Sequence, residues 1–449
     1  MITTLKWQSD VVTVCRKLCR DAFIVSGGGL ATELTSALFE WIPQLDAISH
    51  SEGDDIILVI CRFLNDAKKR FGIGRRNTLE KSPYRIGEIN GRQRYIFGGE
   101  RPRNIDHLPF AAWDLLEDDV YGNNLLDWYI NVPVWGDSAN NSSATPFKMK
   151  RSLTTVSSRG CPYACAFCYR GAQGERNYRM RSAQSLRGEV EWLLKTYDLD
   201  FVGFPDDNFA VDKRRINLLP EAFEGLMFRW GTHTRLDEAD ERLENMAAAG
   251  CVYIGFGAES AADRTLTRMQ KGGFILRRGL TDVNGFKFPV TMYEGIKKCK
   301  EVGIHANCTW IMGYPGETLD DLKTSVGFIM WQEELNTGFA SVEPSKSKYS
   351  RQSVNRNMFT ATAYPGTEMF KEPIVQERLA TCFGMDFDPF GQPIINDKYR
   401  NYVYELDDAT KVLRNKNENL LNFGAMHPDK FVEARAYVDN GQIEKILQM

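Results

Sequence analysis

The sequence predicts an α/β protein built around a partial barrel of six β/α units, with a short, truncated Rossmann-like domain before it and a mostly helical tail after it. Short apolar runs alternate with segments of helical periodicity between residues 151 and 370, which predicts a parallel sheet with right-handed crossovers. Most of these runs open into glycine, proline and carboxylate residues, as is typical of the active-site end of α/β barrels. Near the N-terminus, a strand-like run ends in three glycines, Gly27 to Gly29, before a helical pattern.

Six strands and five helices are predicted inside the barrel region. The strands are Leu153–Ser157, Phe201–Phe204, Met227–Trp230, Cys251–Phe256, Ile304–Met312 and Phe359–Ala363. One helix follows each of the first five strands, over residues 183–197, 215–226, 238–249, 292–302 and 319–331. Ser182 and Thr318 are predicted helix N-caps, and Gly250 and Gly303 are predicted to end helices in the left-handed conformation that suits glycine.

Composition and charge exclude several broad classes of protein. With 43% hydrophobic and 26% charged residues, the 449-residue chain can bury a sizeable core, and its net charge of −3 gives no global field that favours nucleic acid or an anionic membrane. Apolar stretches such as Ile56–Cys61 are far shorter than the roughly 20 residues of a membrane-spanning helix. No secretory signal is recognised, so we expect a cytoplasmic protein whose ten cysteines are reduced.

Three of the ten cysteines form a metal-binding pattern. Cys161, Cys165 and Cys168 have the spacing Cys-x3-Cys-x2-Cys on a loop shaped by glycine and proline, whereas the other seven are scattered. Thiolates this close together are good ligands for a soft metal and poor core residues. Three ligands indicate an iron–sulfur cluster with one iron left open to a substrate. A zinc site is the alternative, but zinc usually needs a fourth ligand, and the nearest downstream histidine is His233.

The cysteine spacing and the order of the loops resemble the radical SAM superfamily over roughly residues 151–370. The resemblance implies a 4Fe-4S cluster held by Cys161, Cys165 and Cys168, with S-adenosylmethionine bound to the open iron. It implies that one electron, from a flavodoxin- or ferredoxin-type donor, cleaves S-adenosylmethionine to methionine and a 5′-deoxyadenosyl radical. Phe167, the aromatic residue before the third cysteine, would lie against the cofactor.

The resemblance also assigns cofactor roles to two loops that follow strands. Glu259 and Ser260 correspond to the fourth-strand motif that bonds the ribose hydroxyls or the polar ends of the methionine. The alternative is a helix N-terminus that Ser260 caps. Met312 and Gly313 correspond to the fifth-strand segment that lines the adenine, where glycine lets the backbone approach the purine, and a plain tight turn is the alternative.

Charged residues near the cysteine loop are further candidates. Asp206 and Asp207 stand where the superfamily often has Gly-Gly-Glu in contact with the methionine amino group, and either carboxylate can take that role. Eight lysines and arginines but one acid lie between Lys148 and Arg181. This basic segment is either a collar that favours the cofactor carboxylate, with Arg181 as the chosen candidate, or a solvated loop face.

The N-terminal region resembles the second half of the cobalamin-binding domain that precedes many radical SAM cores. The strand, glycine turn and helix around Gly27–Gly29 and the turn at Ser51–Asp54 carry this resemblance, which implies cobalamin as a further cofactor. The Asp-x-His-x-x-Gly loop whose histidine can bind cobalt does not occur in the sequence. The region is therefore either a truncated scaffold or a cobalamin site without a protein axial ligand.

Three cysteines near the N-terminus raise a separate question. Cys15 and Cys19, together with Cys61, are similar to the amino-terminal three-cysteine cluster of methylthiotransferases. The surrounding sequence lacks the other features of that family, so ordinary helix cysteines are the alternative, and total iron distinguishes one cluster from two.

These observations predict four regions along the chain. They are a truncated Rossmann-like domain of cobalamin-binding type over residues 1–110, a linker over 111–150, the radical SAM partial barrel over 151–370, and a C-terminal helical extension over 371–449. A polar segment over 335–357 interrupts the barrel and is either a lid over the substrate or a plain insertion.

The predicted function is that of a radical SAM enzyme acting on a small-molecule or natural-product-like substrate. We expect C-methylation of an unactivated carbon, because relatives associated with cobalamin domains often carry it out. Radical cyclisation, oxidation or rearrangement without methyl transfer is the first alternative, and a non-catalytic iron–sulfur scaffold is the second. The fold does not choose among substrates, and nothing in the sequence indicates nucleic acid as a partner.

Overall fold

The structure is a computed structural model that describes residues 4–50, 52–69, 84–89, 91–99, 101–117, 122–131, 150–169, 178–335, 358–406 and 421–449. The chain forms two compact units, each assembled from separate stretches of sequence. Unit 1 comprises Met1–Arg103, Phe167–Glu175 and Thr362–Leu421. Unit 2 comprises Asn104–Ala166, Arg176–Ala361 and Asn422–Met449. The four regions expected from the sequence remain a prediction.

Unit 1 contains a four-stranded sheet. Its strands are β1 (Val25–Ser26), β2 (Ala47–His50), β3 (Tyr84–Ile89) and β4 (Arg92–Gly98), in the order β1-β2-β4-β3. β1, β2 and β4 are parallel, whereas β3 pairs antiparallel to β4. The helix Gly53–Lys69 packs Ile56 and Ile60 against Phe97 of β4. Strand, glycine turn and helix therefore follow one another as predicted around Gly27–Gly29.

The other helices of unit 1 surround this sheet or belong to the tail. They are Leu5–Leu18, Gly28–Leu34, Ala37–Trp41, Pro373–Phe383 and Asp397–Glu405, with a 3-10 turn at Met369–Lys371. Trp41 contacts Tyr399 edge to face, with ring centroids 5.6 Å apart, so an N-terminal helix and a tail helix share one packing surface.

Unit 2 is built on a curled half-barrel of six parallel strands, as predicted. The strands of unit 2, both inside and outside the half-barrel, are β5 (Ser152–Thr154), β6 (Ser158–Arg159), β7 (Arg179–Met180), β8 (Phe201–Phe204), β9 (Arg229–Arg235), β10 (Cys251–Glu259), β11 (Leu280–Val283), β12 (Phe286–Pro289), β13 (His305–Met312) and β14 (Met358–Thr360). The half-barrel has the order β14-β13-β10-β9-β8-β5. β6 pairs with β7 and β11 pairs with β12, both antiparallel.

The strand registers divide this sheet into an outer and an inner face. Trp230 and Trp310 lie on the outer face, where Trp310 packs against Phe328 of the helix Leu319–Leu335. Because side chains alternate along a strand, Gly231, His233, Tyr253, Gly255 and Asn307 lie on the opposite, concave face. Gly231, Tyr253 and Asn307 are buried, and the two glycines pack against the aromatic rings of Tyr253 and His233.

Helices cover the outer face of the half-barrel. Those of unit 2 are Leu125–Asn131, Ala183–Tyr197, Lys213–Ala222, Arg242–Ala248, Asp263–Arg268, Gly272–Ile275, Val290–Val302, Leu319–Leu335 and Pro428–Asp439. Short 3-10 turns occur at Ile105–His107, Trp113–Leu116, Leu236–Glu238 and Ile443–Gln448. Ser182 accepts a hydrogen bond from the backbone of Ser185, which confirms the predicted N-cap. Gly303 ends its helix at φ 78°, which confirms the predicted C-terminal glycine.

Several predicted boundaries were wrong, and local hydrogen bonding explains them. β9 starts two residues later than predicted and runs on to Arg235, because the backbone of β10 pairs with it along that length. The helix predicted over 238–249 begins at Arg242, after a separate 3-10 turn. The predicted insertion after Leu335 and the polar linker around residues 135–146 lie outside the described residues. Within the described ranges, the structure contains no helix that is both long and apolar enough to cross a bilayer.

Candidate active site

A buried carboxylate fixes the segment that leads from β5 to the first cysteine. Asp206, directly after β8, accepts hydrogen bonds from the backbone N–H of Ser157 at 2.8 Å and from the Ser158 hydroxyl at 2.6 Å. The Ser157 hydroxyl donates to the same carboxylate. Arg215 donates from Nη1 to the carbonyl of Ser157 at 3.0 Å. Because these groups are buried and bonded to one another, the network holds the start of the cysteine loop in one position.

Residues at the end of β9 and in the segments after β9 and β10 hold the middle of the cysteine loop. The Tyr163 hydroxyl donates to Oε1 of Glu238 at 3.0 Å. Arg235 donates from Nη1 to the Cys165 sulfur at 3.2 Å, and its guanidinium carbon lies 3.9 Å from the centre of the Tyr163 ring. The backbone N–H of Ala166 donates to the carbonyl of Met269 at 2.9 Å. The loop is thus anchored on both sides of Cys161.

The donor chemistry of the three cysteines fits a cluster. Cys165 is buried, Cys161 is half-buried and Cys168 is exposed. Burial raises the pKa of Cys161, so its ligating thiolate form needs a metal, which deprotonates a coordinating thiol. Within the described ranges, no three His, Cys, Asp or Glu side chains are grouped to hold one metal ion. A 4Fe-4S cluster instead needs one thiolate for each of three irons, and Cys161 and Cys165 lie on the part of the loop that is anchored within unit 2.

The two adjacent carboxylates after β8 have different surroundings. Asp206 is 3% exposed and its oxygens bond the two serines, whereas Asp207 is exposed. Desolvation by the surrounding protein, and then the charge of Asp206, raise the pKa of Asp207, while a backbone hydrogen bond from Gly160 opposes that shift. Asp207 is therefore the carboxylate of the two that a ligand can reach.

The adjacent residues Glu259 and Ser260 also have different surroundings. Glu259 ends β10 with φ at 64°, a left-handed conformation that costs a non-glycine residue about 1–2 kcal/mol. Its Oε1 lies 3.4 Å from Nζ of the buried Lys271, and a Cβ at Gly257 would come within 2.5 Å of the same oxygen. Ser260 is fully buried, and its hydroxyl lies 3.2 Å from that of Ser325. Strain at a strand end is typical of functional positions, and here it falls on Glu259.

The loop after β13 is organised by a buried carboxyl group. Met312 is fully buried at the end of β13, and Gly313 adopts φ 75°. The backbone N–H of Gly313 donates to Oε2 of Glu317 at 2.6 Å. Burial raises the pKa of Glu317 to about 8. A Cβ at Gly313 would lie 2.7 Å from the ring of Phe431, so the chain permits only glycine at this turn without displacing that ring.

Arg181 is committed to contacts within the protein. Its guanidinium pairs with Glu189, and both side chains are nearly inaccessible to solvent. Nε donates to the Ser185 hydroxyl at 3.0 Å, and the guanidinium lies 5.6 Å from the centre of the Phe110 ring. The Arg181 guanidinium is thus engaged by Glu189 and Ser185, while its backbone N–H donates to the carbonyl of Ser157 at 2.9 Å. Of the rest of the basic segment, residues 148–149 and 170–177 lie outside the described ranges.

The remaining candidate is Phe167, and three buried charged residues of the site were not predicted. Phe167 is half-buried and belongs to unit 1. Those three residues are Arg235, Glu238 and Lys271, which are all buried. A usable signal existed for Arg235, because a charged residue at the carboxyl end of a barrel strand lies at the active-site end.

The fold and the cysteine loop define an enzyme that carries an iron–sulfur cluster at the carboxyl end of a half-barrel. Residues 155–329 match the family described as the radical SAM superfamily. The chain therefore carries a radical SAM domain over these residues. A radical SAM domain implies a 4Fe-4S cluster and S-adenosylmethionine.

Two curated relatives and one solved structure illustrate the similarity. The chain is 25% identical over 380 residues to an uncharacterised methyltransferase of Pyrococcus horikoshii, covering 83% of this chain and 67% of the relative. It is 24% identical over 317 residues to the anaerobic magnesium-protoporphyrin IX monomethyl ester cyclase of Rubrivivax gelatinosus, covering 69% of this chain and 49% of that relative. The radical S-adenosylmethionine methyltransferase TsrM of Kitasatospora setae, solved with cobalamin and a 4Fe-4S cluster, superposes with a TM-score of 0.56 at 15% identity, covering 94% of this chain and 73% of that chain. This last likeness concerns the fold.

Proposed function

We propose that the chain reductively cleaves S-adenosylmethionine and directs the resulting 5′-deoxyadenosyl radical to an unactivated carbon of a small molecule, with C-methylation as the outcome. The anchored loop of Cys161, Cys165 and Cys168 carries this proposal. Bound there, a 4Fe-4S cluster supplies the electron that breaks the sulfonium bond. The relative named as a methyltransferase supports the methyl-transfer outcome.

The chain's own residues orient S-adenosylmethionine. In this proposal Asp207 accepts hydrogen bonds from the methionine amino group, because it is exposed while Asp206 is engaged with the serines. Glu259 accepts from the ribose hydroxyls, since Lys271 and the left-handed backbone fix its direction. The backbone at Gly313 lies along the adenine, where the absence of a side chain allows close approach. Ser260 and Arg181 stabilise the surrounding protein.

We assign cobalamin to unit 1. Its three parallel strands and the glycine turn between β1 and the helix Gly28–Leu34 form a Rossmann-like arrangement, in which ligands bind outside the carboxyl ends of the strands. The cobalamin in the TsrM structure supports this assignment. Reconstitution with hydroxocobalamin tests it. We expect one corrinoid per chain after gel filtration, and protein without stoichiometric corrinoid would rule out methyl transfer through methylcobalamin.

The decisive assay for the radical step is 5′-deoxyadenosine formation. Anaerobically reconstituted protein should convert S-adenosylmethionine to 5′-deoxyadenosine when dithionite is added. Cys165→Ala should lose both the visible absorbance of the cluster and the product, whereas Cys382→Ala, at a half-buried cysteine far along the chain, should keep both. A fully loaded cluster that yields no 5′-deoxyadenosine would instead support an iron–sulfur scaffold.

Radical ring closure or oxidation without methyl transfer is the second candidate function. The relative named as a cyclase favours it. Product analysis separates the two outcomes once a substrate is found by comparing metabolites of cells with and without the gene. A methylase releases S-adenosylhomocysteine together with 5′-deoxyadenosine, whereas the second candidate releases 5′-deoxyadenosine alone.

A further inference from the structure

A buried arginine touches one of the three cysteines. Arg235 ends β9, its side chain is 7% exposed, and its Nη1 lies 3.2 Å from the Cys165 sulfur. A thiolate is a stronger hydrogen-bond acceptor than a thiol because it is charged. The contact between Arg235 and Cys165 therefore strengthens when the sulfur ligates iron.

Three further contacts fix the guanidinium group. Nε lies 2.8 Å from Oδ1 of Asp237, whose side chain is 3% exposed. Nη2 donates to the carbonyl of Lys271 at 3.3 Å, and the Tyr163 ring covers one face of the guanidinium at 3.9 Å. A planar, permanently charged group held at this many points neither rotates away nor loses its proton. Its positive charge stays next to Cys165, out of contact with bulk water.

We propose that Arg235 is a positioning residue for electron transfer, which raises the reduction potential of the cluster by placing a buried positive charge and an N–H donor on Cys165. This inference rests on the proposed function, because it requires a cluster on the three cysteines. Reduction adds one electron from a ferredoxin- or flavodoxin-type donor, and no bond at Arg235 forms or breaks. The added negative charge arises beside the guanidinium in a poorly screened environment, so the reduced state is stabilised more than the oxidised state.

Removing the charge of Asp237 should change the reduction potential of the cluster in the opposite direction. Its carboxylate partly neutralises the charge of Arg235 while it holds Nε in place. Asparagine at this position keeps an oxygen that accepts from Nε but removes the negative charge. Asp237→Asn should therefore make Arg235 more effective and raise the potential. A purely structural pair would give no such reversal of sign between its two members.

Potentiometric titration of the reconstituted protein, followed by the electron paramagnetic resonance signal of the reduced cluster, measures this effect. We expect Arg235→Gln to shift the midpoint to a more negative potential by roughly 59 mV, a tenfold fall in the equilibrium constant for one-electron reduction. Arg235→Lys keeps the positive charge but not the planar guanidinium group, so its midpoint potential should lie between those of Arg235→Gln and the wild type. Asp237→Asn should shift the midpoint to a more positive potential.

Arg242 provides a matched control. It is a buried arginine whose Nε lies 2.7 Å from Oδ1 of Asp240, two residues away, as Arg235 lies beside Asp237. Within the described part of the chain its side chain bonds Asp240 and the carbonyl of Ala210, and none of these hydrogen bonds goes to a cysteine. Arg242→Gln should leave the midpoint unchanged, so that a general loss of packing is separated from the local effect at Cys165.

The outcomes distinguish this inference from the proposed function. Wild-type protein that binds no cluster after reconstitution overturns the proposed function itself. Loaded variants at Arg235 and Asp237 with the wild-type midpoint overturn the role of Arg235 alone. If Arg235→Gln does not take up iron, Asp237→Asn decides: a positive shift supports the inference, and an unchanged or negative midpoint overturns it.

Discussion

The backbone N–H of Gly313 donates a 2.6 Å hydrogen bond to one oxygen of Glu317, while the other oxygen of this fully buried carboxyl group has no hydrogen-bond partner among the residues that the structure describes. Burial is the main cause that raises the pKa of Glu317, to about 8. The loop proposed to line the adenine is thus closed by a carboxyl group that is neutral at neutral pH.

This relationship predicts a pH dependence of stability. Because the folded-state pKa of Glu317 lies above its ordinary value of 4.5, its contribution is fully present below about pH 4.5 and is lost as the pH rises through about 8. Between pH 5 and 8.5 the wild type should lose roughly 2–4 kcal/mol more unfolding free energy than Glu317→Gln. Denaturant titrations at both pH values measure the difference. Equal losses in the two proteins would show that Glu317 titrates normally, and the exposed Glu224 supplies a control, Glu224→Gln.

The two adjacent carboxylates after β8 should have separable roles. Asp206→Asn replaces one of the two accepting oxygens with an NH2 group, so at least one buried donor on Ser157 or Ser158 is left unsatisfied at a cost of roughly 1–3 kcal/mol, and thermal stability and iron content should both fall. Asp207→Asn should keep both and weaken S-adenosylmethionine binding about tenfold, as the loss of one charged hydrogen bond does. Iron analysis, melting curves and calorimetric titration report these effects. The reverse pattern would give the ligand role to Asp206.

The buried ion pair between Arg181 and Glu189 should affect stability and not cofactor binding. Arg181→Met leaves the carboxylate buried without its partner, which costs roughly 3–5 kcal/mol. The double variant Arg181→Met/Glu189→Leu should recover much of this loss, since it removes both charges. A thermal double-mutant cycle tests the coupling, with the exposed Arg214→Met as a control. Unchanged stability together with weaker S-adenosylmethionine binding would instead place Arg181 on the cofactor carboxylate.

The N-terminal cysteines should not hold a second cluster. Cys15, Cys19 and Cys61 are all exposed. Cys15 lies in the helix Leu5–Leu18 and Cys19 directly follows that helix, whereas Cys61 lies in the separate helix Gly53–Lys69. Reconstituted wild type should contain about four irons per chain, as one 4Fe-4S cluster requires. The triple variant Cys15→Ser/Cys19→Ser/Cys61→Ser should contain the same amount. Twice as much iron in the wild type, lost in this variant, would mean a second cluster.

Elements bounded by strong local signals could be predicted from the sequence. The strand Phe201–Phe204 has the predicted limits, because a short apolar run with a turn on each side leaves little choice. The hairpin of β11 and β12 was missed although Asn284-Gly285 is the turn pair that such hairpins favour, and both residues have positive φ. Its strands are only four residues long, and the alternation Phe286-Lys287-Phe288 in one of them is too short to predict a strand.

The candidate site was less predictable, because its roles depend on contacts distant in sequence. The sequence could not separate Asp206 from Asp207, since only the fold brings Ser157 and Ser158, almost 50 residues earlier, to one of them. The same holds for Arg235, whose acceptor sulfur lies 70 residues away. The cysteines could be identified from their spacing within one loop. The groups that hold this loop could not, because they come from the ends of three different strands.

The glycines of the concave face restrict how this protein can diversify. A methyl group on Gly255 would lie 2.5 Å from the ring of His233, and one on Gly231 would lie 2.9 Å from the ring of Tyr253. Even alanine, the smallest substitution, would push an aromatic ring out of place at either position. New substrate preferences must therefore arise at other positions of the concave face, such as Asn307 and Thr309, which already bear side chains. Libraries that spare the two glycines and vary those neighbours should retain far more folded members than libraries that vary all four.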